Sequence, residues 1–103
     1  MVEQTNTFID GTSFYGVKIN TTPQQLIEAL GEPEIFDNTG KDKCNMNYWC
    51  LTDTDIFFSI YDWKYYEPLN MSSEYSFHIG GFTKSECMEA VIKLEQLLQV
   101  IQA

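Results

Sequence analysis

The sequence predicts an α+β fold: an antiparallel sheet of four to five strands with two helices packed on one face. This is a two-layer sandwich in the order β(β)-α-β-β-β-α. Three observations predict it. Two segments carry helix start and stop signals around an apolar stripe. Three segments rich in aromatic and β-branched residues lie close together. Polar turns too short for a crossover join two of these, so that pair must run antiparallel. A chain of 103 residues holds one core of this kind. Residues 1–103 therefore read as a single domain, with 1–7 and 102–103 expected to fray.

Phe8-Ile9 and Phe14-Tyr15-Gly16-Val17-Lys18-Ile19 flank Asp10-Gly11-Thr12-Ser13. Asp-Gly is a turn signal, so this stretch is a hairpin or one strand with a frayed lead. A short helix follows. Thr22 is its candidate N-cap, Pro23 fits the first helical position, and Gln25 completes a capping box. Leu26, Ile27, Ala29 and Leu30 form its stripe; Gly31 and Pro33 end it. Residues 34–45 read as a loop or weak hairpin around Asp37-Asn38-Thr39-Gly40-Lys41. Met46–Leu51 and Ile56–Trp63 read as strands about a Thr52-Asp53-Thr54-Asp55 turn. A polar loop over 65–73 leads to a third strand, Tyr75–Ile79, ended by Gly80-Gly81. The last helix opens on a Thr83/Glu86 capping box, with Phe82 and Cys87 placed for a hydrophobic staple. Cys87, Val91, Leu94, Leu98 and Ile101 mark its buried face.

Charge and composition exclude several functions. Fifteen acids face six lysines with no arginine, for a net charge of −9. A phosphate-backbone binder needs clustered cations, so direct nucleic-acid binding is not expected. No apolar run approaches the ~20 residues that span a bilayer. The start of the chain lacks the basic and apolar stretches of a signal peptide, so a cytoplasmic location is expected. Cys44, Cys50 and Cys87 are then free thiols. Their spacing, with His78 the single histidine, fits no four-ligand metal site, and no cofactor is implied. Between residues 28 and 67, nine acids oppose Lys41, Lys43 and Lys64. This is a solvated face, or one that steers toward a basic partner.

The architecture leaves one sheet face over. Alternation assigns Ile56, Phe58 and Ile60, with Tyr75, Phe77 and Ile79, to the helix side. In the first of the three strands neither alternate set is polar. The open face then carries Phe57, Tyr61, Trp63, His78 and, from that ambiguous strand, Trp49. Three uses compete for such a face: a cover formed by the chain itself, a homodimer seam, or a docking surface for a ligand or foreign partner.

Candidate chemistry gathers there too. His78 could serve as an acid or base near Asp62 and Lys64. The plainer reading is a sheet histidine bonded to a carboxylate or tyrosine. Gly80 and Gly81 either turn the strand into the helix or offer amides to an anion. No catalytic motif stands out, and an enzymatic role is not assigned.

Ile60-Tyr61-Asp62-Trp63-Lys64, followed by Phe77-His78-Ile79-Gly80-Gly81, resembles a pattern in small phage and mobile-element proteins. There a strand ending I-Y-D-W/Y-K precedes a W/F-H-I-G-G strand and a closing helix. Leu30-Gly31-Glu32-Pro33 after a short helix is similar as well, whereas Phe77 stands where tryptophan is more usual. That group has no settled activity. Many small acidic phage proteins inhibit host defence, so the resemblance implies, by association, a non-enzymatic, anti-CRISPR-like inhibitor of a host protein in the host cytoplasm. The alternative is a nucleotide-signal sponge: Trp63 or Tyr61 would stack on the base, with Lys64, His78 and the Gly80-Gly81 amides near the phosphate. The binding residues expected from both readings are Trp49, Tyr61, Asp62, Trp63, Lys64, His78, Gly80 and Gly81.

Overall fold

A computed structural model describes residues 2–5, 12–37, 40, 44–63 and 66–102. Among them the order is β1 (Val2–Gln4), β2 (Ser13–Thr21), α1 (Pro23–Leu30), β3 (Ile35–Phe36), β4 (Met46–Thr52), β5 (Phe57–Tyr61), β6 (Tyr75–Gly81) and α2 (Lys84–Gln102). Five strands lie in the order β1-β4-β5-β6-β2, and the two-residue β3 sits beside β4. Every pairing is antiparallel. The α+β sandwich expected from the sequence is the fold observed. No described helix is long and apolar enough to cross a membrane.

Both helices begin where their capping residues stand. The Gln25 N–H donates to Thr22 Oγ1 (3.1 Å), and Gln25 Oε1 accepts from the Thr22 N–H (3.2 Å). This closes the capping box, with Pro23 opening the helix. Gly31, at φ 85°, ends α1 in a conformation that favours glycine. Two side chains hold that end to the sheet. Gln4 Nε2 donates to the carbonyls of Leu30 (2.7 Å) and Glu32 (2.6 Å). The Tyr48 hydroxyl donates to the Gly31 carbonyl (2.7 Å). At α2 the Glu86 N–H donates to Thr83 Oγ1 (3.1 Å). Phe82 remains 43% exposed, so the expected staple does not bury its ring.

The register settles which face each strand buries. Phe58 lies across from Cys50 and Gly81, and Ile60 across from Tyr48 and Ile79. Phe77 lies across from Ile19. These side chains join Leu26, Met46, Cys87, Ala90, Leu94 and Leu98 in one core under the helices. Burying each large apolar side chain stabilises by ~1.5–3 kcal/mol. That gain fixes register, because a one-residue slip would put the whole set in water. The ambiguous strand β4 resolves the same way: Met46, Tyr48 and Cys50 are fully buried.

Four further local features extend or correct the expectation. Within the segment 1–7, Val2–Gln4 forms β1, which pairs with β4, and Val2 is buried. Of the two alternatives for 34–45, a loop or a weak hairpin, the pairing of Ile35 and Phe36 with Asn47 and Met46 fits the hairpin. The lead at Phe8-Ile9 and the Asp10-Gly11 turn lie outside the described residues. Between Phe14 and Lys18, β2 bulges against β6, with Gly16 at φ 85°. Tyr15 anchors the bulge by donating its hydroxyl to the Phe82 carbonyl (2.9 Å).

The fourth difference concerns Gly80 and Gly81. They form no turn; both lie inside β6, flanked by β5 and β2. Their role is close approach, one on each face. A Cβ on Gly80 would sit 2.6 Å from Ser59 Oγ and 3.4 Å from the Tyr61 ring. A Cβ on Gly81 would sit 2.6 Å from Cys87 Sγ, where α2 comes down on the sheet. Gly81→Ala should therefore destabilise by about 1–3 kcal/mol. Because the clash is with one sulfur, Cys87→Ala should relieve part of it. A double-mutant cycle by urea unfolding checks this, and additive effects would contradict it.

Candidate functional site

The face away from the helices carries two cross-strand rows. One runs Asn47, Tyr61, His78 and Lys18; the other runs Trp49, Ser59, Gly80 and Phe14. Among the described residues no helix lies on this face. Four rings form a continuous chain across it. Phe14 stacks on His78 with centroids 3.9 Å apart and planes 8° from parallel. His78 meets Tyr61 edge-on at 5.5 Å, and Tyr61 meets Trp63 edge-on at 6.0 Å. Phe14 is 40% and Trp63 44% exposed. Trp49, Tyr61 and His78 are half-buried. Edge-on contacts suit the ring quadrupoles, and together with the Phe14–His78 stack they pre-arrange the cluster rather than leaving independent exposed rings.

Phe14 is the member that sequence reasoning missed. Its position follows from the bulge, which lengthens β2 by two residues against β6 and thereby keeps Phe14 and Lys18 on the same face. The available signal was Gly16, a glycine interrupting an apolar strand pattern.

His78 sits inside this cluster rather than at a reactive edge. Its Nδ1 is buried and has no hydrogen-bond partner among the described residues. The expected carboxylate or tyrosine bond is not made at this nitrogen. Burial, with the Lys18 ammonium opposite it, holds the imidazole below its ordinary pKa. Burial likewise pushes the Tyr61 hydroxyl up.

Asp62 is buried, and its carboxylate is fully engaged in the fold. It accepts from the Asn45 N–H (2.8 and 3.0 Å), from Asn45 Nδ2 (2.9 Å) and from the Met46 N–H (2.9 Å). Asn45 in turn donates to the Glu67 carbonyl and accepts from the Gly40 N–H. Hydrogen bonds to a charged group contribute ~1.5–3 kcal/mol each. Recruiting Asp62 to a ligand would sacrifice several at once and strand buried donors. Asp62 is therefore a structural clamp at the mouth of the β4–β5 pair. Asn45 was not singled out in the sequence because it reads there as one more loop residue.

A hollow of about 140 Å³ beside the cluster is lined by Asp62, Trp63, Leu69, Tyr75, Ser76 and His78. Pockets for drug-sized ligands span ~300–1,000 Å³. The loop that walls it is tied back to the start of α1, where the Gln24 N–H donates to the Met71 carbonyl (3.0 Å). Lys64 lies outside the described residues. Gly80 and Gly81 belong to a strand flanked on both sides, not to a loop that cradles phosphate. Cys50 and Cys87 are buried, and burial raises both thiols away from the reactive thiolate. In comparisons with protein-family models, with curated proteins and with solved structures, nothing matches this chain.

The lowered pKa of His78 has a consequence for stability. The unfolded chain binds the histidine proton more readily than the folded one, so stability rises with pH through this window. The contribution is complete above about pH 6.5 and is lost as pH falls below it. Urea midpoints at pH 7.5 and pH 5 should differ less in His78→Gln than in the parent. An unchanged pH dependence would mean that the ring is not held neutral by the fold.

Proposed function

We propose that this protein is a non-enzymatic binding module, a small acidic phage or mobile-element protein that docks on a host protein and inhibits it through the open sheet face. The observation that carries this reading is the Phe14–His78–Tyr61–Trp63 ring chain on a face no described helix covers. Aromatic side chains combine large contact area with little rotamer entropy, which suits them to anchor an interface. A standard interface needs ~800 Å² from each partner, about a seventh of the 5792 Å² accessible surface here.

Charge favours a foreign partner over a second copy. Each chain carries −9, so self-association brings like charges together. The acids Glu28, Glu32, Glu34, Asp37, Asp53, Asp55 and Glu67 are exposed, while Asp62 is buried. An acidic protein that also presents an aromatic patch suits a host surface rich in lysine and arginine, such as the working groove of a defence nuclease. The anti-defence role rests on the resemblance of the Ile60–Lys64 and Phe77–Gly81 stretches to small phage proteins. The nucleotide-sponge reading is weaker, because the hollow beside Trp63 and His78 falls short of nucleotide size.

The test is affinity capture from host lysate with the parent and a Tyr61→Ala, Trp63→Ala double variant. Identical far-ultraviolet dichroism and monomeric mass must be shown for both. A specific partner lost or weakened about 30-fold or more by the double variant is expected for central aromatic anchors. Retention of every partner at parental affinity would refute the role of this face.

A further inference from the structure

The sheet has a second feature that the open face does not use. Among the described residues, the outer edge of β2 has no strand partner. The first half of that edge is unsuited to pairing, because the Phe14–Lys18 bulge breaks its register. From Lys18 to Thr21 the strand is regular, matched residue by residue to His78, Phe77, Ser76 and Tyr75. In an antiparallel ladder, alternate residues turn their N–H and C=O away from the partner strand. This short run therefore presents main-chain donors and acceptors outward.

A depression of about 280 Å³ lies against this run. It is lined by Lys18, Ile19, Asn20 and Thr21 of β2 and by Glu95, Leu98 and Gln99 of α2. Lys18 and Asn20 belong to the open face, Ile19 and Thr21 to the helix face. A hollow that touches all four must run along the strand edge. Its walls are an open strand and a helix, with Leu98 as an apolar contact and Glu95 exposed at the rim.

We infer that an extended segment of a partner protein adds to β2 at Lys18–Thr21 as a further strand, with a basic side chain against Glu95. Main-chain bonds would supply the attachment, and side chains on either face the selectivity. Charge selects the occupant. Toward α2 the segment meets Leu98 and Glu95, so apolar and basic residues fit. Of the two lysines on that helix, Lys84 stands at its first residue and Lys93 is engaged with Asp53 at 2.9 Å. On the other face the segment meets Lys18 and Asn20, where polar residues fit. A second copy would add nine more negative charges and is disfavoured. This inference rests on the reading of a protein partner, but it concerns an edge rather than the ring-bearing face.

The probe is the capped heptapeptide Lys-Thr-Val-Thr-Lys-Thr-Val, titrated into ¹⁵N-labelled full-length protein. Amide shifts confined to residues 17–21 and 94–99 are expected. The same peptide N-methylated at alternate amides should not bind, since it keeps the charge and removes the strand donors. Glu95→Lys should weaken binding about tenfold. The Tyr61→Ala, Trp63→Ala variant should bind the peptide like the parent, which separates failure of this edge from failure of the aromatic face. No shifts, shifts mapping to the rings, or equal binding of the N-methylated peptide would each overturn the inference. So would the same edge shifts appearing on concentration of the protein alone with a doubling of mass, because the occupant would then be a second copy.

Discussion

A single sheet has two faces, and two helices cover one. The rest of the molecule follows from that constraint. Packing Cys87, Ala90, Leu94 and Leu98 of α2 with Leu26 of α1 onto Tyr48, Phe58, Ile60, Phe77 and Ile79 fixes one face as core. Strand alternation then sends Trp49, Tyr61 and His78 to the other side. Gly81 lets α2 descend to the sheet by removing the one side chain that would meet the Cys87 sulfur. The core is drawn tight on one side, and the aromatic surplus is left on the other.

The open face is organised by polar contacts as well as by rings. The Asp62 carboxylate gathers the Asn45 and Met46 amides, and Asn45 reaches on to Gly40 and Glu67. This clamp holds the chain one residue before Trp63. At the far end of the ring chain, the β2 bulge lays Phe14 on His78, and the Tyr15 bond to the Phe82 carbonyl secures that bulge. Both ends of the cluster are thus fixed by backbone-directed hydrogen bonds. Such pre-arrangement lowers the ordering cost that an interface must otherwise overcome.

Features governed by local chemistry were legible in the sequence. Thr22-Pro23-Gln25 and Thr83/Glu86 announce helix starts because a cap acts within four residues. The alternation in Ile56–Tyr61 and Tyr75–Ile79 announces strands because burial repeats every second residue. What escaped depends on a partner distant in the chain. Val2–Gln4 has no pattern of its own and becomes a strand only beside β4. Gly80-Gly81 imitates a turn, and only Ser59 and Cys87 reveal that the glycines exist for close approach. Asp62 resembled a ligand-binding acid beside aromatics, but its burial against Asn45 gives it a structural task. Of the expected binding residues, Tyr61, Trp63 and His78 meet in one cluster and Trp49 shares their face, while Asp62 turns inward to the clamp.

The central claim is physical: the free monomer shows water an aromatic face that its own helices leave uncovered. Hydroxyl-radical footprinting of the monomer, read residue by residue by mass spectrometry, tests it most directly. Phe14 and Trp63 should oxidise readily while Phe58 and Phe77 stay protected, as their 40% and 44% exposures against full burial require. Protection of Phe14 and Trp63 to the level of Phe58 in a protein shown to be monomeric would contradict the claim.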